Sequence, residues 1–261
     1  MYVGCVIQGG LGNRLFQIAA MLGYAEKYGH TPVFVNEWIN HNPNQPGGNY
    51  VFNYFPGIRT ISEKSCEWQE IKEPFEDAMR FNALPRIAGN VKLNGYFQSE
   101  RYFPRGGVSL AGVVPKMRWY PTFFLHIRRG DYLHPANRHH YVDLGAYYER
   151  AISLFPAGSY VLVCSDDIEW CKETLPRRYT AVGADKWLWL PAGTNEYDTL
   201  AAMMGCTLGG VCANSTFSWW GGYLNPARDK LVTMPDKWIQ PGRGIPMAID
   251  IYPAWAEKVS V

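Results

Sequence analysis

Residues 1–35 read MYVGCVIQGGLGNRLFQIAAMLGYAEKYGHTPVFV, and this opening decides the fold class. Residues 2–8 are a short run of β-branched, aromatic and apolar side chains, the pattern of a buried strand. Gly9-Gly10-Leu11-Gly12-Asn13 reads as a tight loop. From about residue 14 to 28, Leu15, Ile18, Ala19, Leu22 and Ala25 fall on one helical face. Gly29 stops that helix, and residues 32–35 start another strand. Strand, helix, strand in this order is a βαβ unit, and βαβ units build parallel sheets.

Working outward, residues 36–70 are less regular, 42–48 (NPNQPGG) reads as a loop, and the helical pattern stays weak until 91–97. The Gly- and Pro-rich stretch 105–115 marks a domain boundary. The second half repeats the pattern more cleanly. Strands are expected at 122–127, 160–164, 208–213 and 231–234, and helices at 144–154, 168–175, 195–206 and 215–224. The fold class is therefore α/β, with two Rossmann-like parallel-sheet domains, 1–115 and 116–261, facing a central cleft.

Composition narrows the partners. With 25 Lys+Arg against 23 Asp+Glu the net charge is +2, so no basic excess exists for nucleic acid, and any anion must be gripped by a few local cations. At 47% hydrophobic the chain is globular, and its 15% aromatic content is mostly core filling. No apolar run approaches the ~18 residues of a transmembrane helix, and the start MYVGCVIQGG lacks the marks of a secretory signal, so a cytoplasmic protein is expected. Cys5, Cys66, Cys164, Cys171, Cys206 and Cys212 are scattered without zinc-ligand spacing and read as free, mostly buried thiols. The sequence sets no oligomeric state.

Four segments carry candidate chemistry. In Gly9-Gly10-Leu11-Gly12-Asn13-Arg14, glycines before a helix N-terminus suit an anion, although a plain βα turn has the same look. His126-Ile127-Arg128-Arg129-Gly130-Asp131-Tyr132 ends an apolar strand, where open parallel sheets bind ligands. A guanidinium fork there can hold a diphosphate, and Asp131 can orient an arginine or act as a base; the bland alternative is a surface Arg–Asp pair. Ser165-Asp166-Asp167 reads as a helix cap in preference to a metal site. Asn214-Ser215-Thr216-Phe217-Ser218-Trp219-Trp220 opens a helix whose polar start can meet phosphate oxygens, and a free carboxylate such as Asp198 can accept the paired N–H groups of guanine. His134, His139 and His140 fit no zinc spacing and read as solvated loop residues.

Five strings in order, GGLGNRLFQIA at 9–19, GYFQSERYF at 95–103, HIRRGDY at 126–132, CSDDIEWC at 164–171 and NSTFSWWGGYLN at 214–225, resemble the α-1,2-fucosyltransferase family, glycosyltransferase family 11. The resemblance implies a GT-B-like fold with the acceptor on the N-terminal domain and the donor, GDP-fucose, on the C-terminal one. It implies inverting transfer to a carbohydrate acceptor, with no cofactor and no required metal. On this resemblance Arg128, Arg129 and Asp131 form the catalytic set, with the general base unassigned. Gly10, Gly12, Asn13, His126, Asp198, Asn214, Ser215, Thr216, Phe217 and Ser218 surround the donor. Arg14 departs from the pattern, standing where many members have Gln. A transferase of another linkage or acceptor, and a non-catalytic nucleotide-sugar-binding module, stay open as alternatives.

Overall fold

In the computed structural model, which describes residues 1–41, 46–242 and 245–261, β1 (Tyr2–Cys5) leads into α1 (Leu11–Tyr28). The helix starts earlier than its apolar spacing predicts, so Gly12 and Asn13 form its first turn instead of a loop. Gly9, at φ 79°, makes the sharp exit from the strand that an L side chain resists, and Gly10 is the N-cap. At the other end Gly29 closes the helix in the left-handed region, its N–H bonded to the Ala25 carbonyl. Leu15, Ile18, Ala19 and Ala25 are buried as expected, whereas Leu22 is half-buried, and Arg14 and Gln17 are fully buried.

The rest of this first unit adds β2 (Thr31–Pro32), β3 (Phe34–Val35), β4 (Thr60–Ile61), β5 (Gln69–Lys72) and β6 (Val91–Asn94). β2-β1-β6-β5 form one parallel sheet, and β3 and β4 pair separately, also in parallel. Of the loop expected at 42–48, residues 42–45 lie outside the described residues. Pro46–Tyr54 instead forms short 3-10 turns broken at Tyr50.

The second unit begins with β7 (Thr122–Ile127), buried at every position. There follow α2 (Gly145–Ser153), β8 (Tyr160–Ser165), α3 (Ile168–Arg178), β9 (Trp187–Trp189), α4 (Glu196–Met204), β10 (Gly209–Val211), α5 (Thr216–Leu224), β11 (Leu231–Pro235) and β12 (Glu257–Val259). All six strands are parallel, in the order β12-β11-β10-β7-β8-β9. A parallel strand covered by helices on both faces is buried on both, and at β7 the apolar centre Phe123-Phe124-Leu125 meets that demand, with Thr122 and His126 buried beside it. Phe123 and Phe155 stack at 4.0 Å between centroids in the main core. β10 packs so closely that a Cβ on Gly210 would sit 2.3 Å from the Phe124 ring.

The α/β, GT-B-like class implied by the resemblance is the class observed, with a parallel sheet in each unit. The compact units are Met1–Gly112 with Arg243–Pro253, and Val113–Gly242 with Ala254–Val261. The chain therefore returns to the first unit late, which a single cut near residue 115 does not describe. Among the described residues no helix is long and apolar enough to cross a membrane.

Candidate active site at the switch point of the second sheet

Counting the second unit's strands from β7, their order across the sheet is 6-5-4-1-2-3, the doubly wound arrangement. The chain leaves β7 toward β8 and later returns to β10 on its other side, so the carboxyl ends of β7 and β10 flank the switch point where such sheets bind ligands. HIRRGDY leaves the first of these strands and NSTFSWW follows the second. Chain topology alone thus brings two of the sequence motifs together.

The arginine pair is held by three carboxylates. Arg128 donates from Nη2 to Asp131 Oδ1 at 2.6 Å and pairs through Nη1 with Asp166 Oδ2 at 2.9 Å. Burial works against its charge, but Asp166 and Asp131 outweigh this and raise its pKa. Arg129 donates its backbone N–H to Asp166 Oδ1 at 2.9 Å and its Nε to Asp167 Oδ2 at 3.0 Å, and its guanidinium lies 3.8 Å from the Trp170 ring centroid. Among the described residues its two terminal nitrogens have no partner, so a bidentate face is left for an anion. Gly130 is required by the same arrangement, because a Cβ there would meet Asp166 Oδ2 at 2.5 Å.

The Ser165-Asp166-Asp167 reading is half right. Asp167 does cap α3, accepting from the Trp170 N–H at 3.3 Å. Asp166 does not cap; it braces both arginines. Among the described residues no group of three or more His, Cys, Asp or Glu is placed to hold a metal ion.

Opposite the arginines, Ser215 caps α5 by accepting from the Phe217 N–H at 3.3 Å. Asn214, expected at the donor, is buried and spends both amide protons on the carbonyls of His140 and Trp238, each at 2.8 Å. Ser218 is buried and donates to the Ser215 carbonyl at 3.3 Å. Those two side chains serve the fold, leaving the N-terminus of α5 as the part of this motif that faces the switch point. Tyr132 donates to the Asn214 carbonyl at 3.1 Å, and its ring stacks on His140 at 5.2 Å, so the loop after β7 folds back over α5. His140 is thus partly buried instead of solvated, and burial lowers its pKa. His126 is buried against Phe217, with ring centroids 5.7 Å apart. Burial, then the nearby Arg128 charge, pushes its pKa down to about 3, so it is neutral at physiological pH.

Asp198 is not the free carboxylate expected. Its Oδ1 takes Lys116 Nζ at 2.6 Å and its Oδ2 takes Asn195 Nδ2 at 2.6 Å, with Asn195 capping α4. Lys116, then Asn195, draws its pKa down. Gly10, Gly12 and Asn13 belong to the first unit. There Asn13 Oδ1 accepts from Gln98 Nε2 at 2.9 Å, tying GGLGN to GYFQS. Arg14, the departure in sequence, is fully buried and binds the carbonyls of Gly9 (2.8 Å) and Asn40, bracing the glycine turn from behind.

Residues 120–240 match the family model Glycosyl transferase family 11. The match falls within the second unit. The matched segment runs from β7 through β11 and contains both loops of the switch point. The O-antigen biosynthesis glycosyltransferase WbnK of Escherichia coli is 36% identical over 126 residues, covering 45% of this chain and 39% of that protein. An alpha-1,2-colitosyltransferase of Escherichia coli is 24% identical over an alignment of 283 residues, covering 90% of this chain and 91% of that protein. The alignment thus spans well under half the length of the first relative and nearly all of the second. Sequence reasoning missed Asp166, Trp170 and Tyr132 as parts of the candidate site. The one local signal was Gly130, a residue without Cβ directly after two arginines.

Proposed function

We propose that the chain transfers L-fucose from GDP-β-L-fucose to a carbohydrate hydroxyl with inversion, in α-1,2 linkage to galactose or a similar residue, without a metal. The observation that carries this reading is the arginine pair at the switch point of a family 11 domain, with the terminal nitrogens of Arg129 available. In the reaction the acceptor oxygen attacks the anomeric carbon, the bond from that carbon to the diphosphate oxygen breaks, and the acceptor proton passes to a general base, to which no residue is assigned, and from it to water. GDP departs with added negative charge. Arg129 meets that charge bidentately and Arg128 adds its own from its carboxylate cradle, the preorganised arrangement that stabilises a transition state. Neutral His126, buried against Phe217, contributes no charge. Asp198 reads guanine with the second lone pair of each carboxylate oxygen, its first being used by Lys116 and Asn195.

The test is to incubate purified protein with GDP-fucose and a panel of galactosides, following GDP release and determining the linkage by NMR. An α-1,2-fucosyl product is expected. Absence of both turnover and GDP-fucose binding removes the proposal, and saturable binding without product would make the protein a binding module. One relative favours a second reading. The alpha-1,2-colitosyltransferase covers 90% of this chain, so colitose, the 3-deoxy analogue of fucose, is the competing sugar to transfer. Turnover with the colitose donor and none with GDP-fucose would select it.

A further inference from the structure

Away from the switch point, the first unit contains a cavity of about 410 Å³ between the second half of α1 and the stretch around residues 81–105. This volume falls within the usual range for a small-molecule site. Its wall is fixed. Gly23 of α1 abuts the Tyr102 carbonyl so closely that a Cβ would lie 1.8 Å from that oxygen, which locks the helix against the 3-10 turn Glu100–Tyr102. The wall also presents carbon. Tyr24 donates its hydroxyl to the Pro85 carbonyl at 3.0 Å, Tyr28 to Leu84 at 2.6 Å and Tyr102 to Asn82 at 3.1 Å. With the hydroxyls spent on this backbone strap, the rings and Phe81 line the hole with carbon, packed on one another as Tyr24 on Tyr28 at 4.7 Å and Phe81 on Tyr102 at 4.8 Å.

The rim is positive. Lys27, Arg101 and Arg105 line it against a single carboxylate, Glu26, whose Oε2 is already used by the Arg105 N–H at 2.8 Å. Arg101 is paired with Asp250 at 3.2 Å, and its guanidinium lies 4.0 Å from the Phe81 ring centroid. Lys27 and Arg105 are exposed and have no carboxylate partner among the described residues. Lys27 lies 5.0 Å from the Tyr28 ring centroid, so ring and cation are presented together. An aromatic, carbon-rich wall suits the C–H surface of a sugar ring, and two cations without a carboxylate partner at the mouth suit an anionic substituent on it. We infer that this cavity is a second binding site, for an acidic sugar unit bearing a carboxylate or a phosphate. It begins roughly 14 Å along α1 from the first residue of that helix, so it is distinct from the glycine turn.

The assignment goes beyond the transferase reading and is tested without the donor. Wild-type protein is titrated with D-glucuronate, D-glucose 6-phosphate, neutral D-glucose and inorganic phosphate, followed by saturation-transfer NMR and calorimetry. Binding of either charged sugar at least ten-fold tighter than glucose and phosphate is expected, and the two charged sugars separate a carboxylate ligand from a phosphorylated one. The Lys27→Ala/Arg105→Ala double variant changes two exposed side chains and should lose at least ten-fold in that affinity. GDP titration of the same variant should match wild type, so failure of the donor reading and failure of this site register separately. Equal binding of glucose, equal binding of bare phosphate, no binding at all, or full affinity in the double variant would each overturn the assignment.

Discussion

At the residue scale, the arginine pair divides its work between holding and meeting charge. Arg129 offers its terminal nitrogens, so Arg129→Ala should lower kcat by about 10²–10³-fold, the size of one lost oxyanion donor, as read by GDP release. Asp166 touches only the arginines and is a positioning residue. Asp166→Asn keeps the shape but loses the charge, and kcat should fall by about ten-fold or more while the KM for the acceptor stays put. Unchanged kcat would remove Asp166 from the mechanism. His126 gives a signed pH prediction. Its pKa is about 3 in the folded chain against an ordinary 6.5, so below pH 6.5 the unfolded state binds the extra proton. The neutral imidazole is free of penalty above pH 6.5, and stability drains as pH falls from 6.5 toward 3, with a slope approaching about 1.4 kcal/mol per pH unit. Urea midpoints between pH 7 and pH 5 should fall less steeply in His126→Gln than in wild type.

At the scale of elements, the motif at α5 is an anchor as much as a binding edge. Asn214→Ala strips partners from the buried carbonyls of His140 and Trp238 and should cost about 1–3 kcal/mol in urea unfolding. Ser215→Ala removes the helix cap and should cost about 1 kcal/mol. Elements with long, unmixed patterns were legible in the sequence: β7 has the predicted bounds, and α5 begins one residue after its cap. β9 and β12 were not, because three residues give no period, and Glu257-Lys258-Val259 is held in place by its pairing with β11, not by its own pattern. The site divides the same way. The arginines announce themselves within one heptapeptide, while their brace Asp166 lies 37 residues away and is brought beside them by the β7–β8 pairing. Asn214 and Ser218 looked like ligand donors because sequence shows polar groups at a helix start without showing what they already hold.

At the scale of the whole molecule, the near-neutral charge is mirrored in a site that sets two arginines among three carboxylates, and the metal-free proposal predicts full turnover in excess EDTA. Loss of activity on chelation, restored by Mn²⁺, would overturn it. The cysteines give a second global check. All six are free, and all but Cys66 are buried, with burial raising their thiol pKa values. A thiol reagent should label Cys66 alone in the native protein and all six in denaturant.

The late return of the chain limits how the protein can be taken apart. The first unit takes in Arg243–Pro253, while β12 belongs to the second and pairs with β11. No single cut of the polypeptide releases either unit whole: a fragment ending at Gly112 lacks part of its own body, and one beginning at Val113 carries a stretch foreign to it. Chimeras that exchange halves between related enzymes at residue 112 should therefore express poorly unless residues 243–253 travel with the N-terminal partner. Exchange of one unit for a relative's, by engineering or by descent, then calls for two coordinated crossovers instead of one.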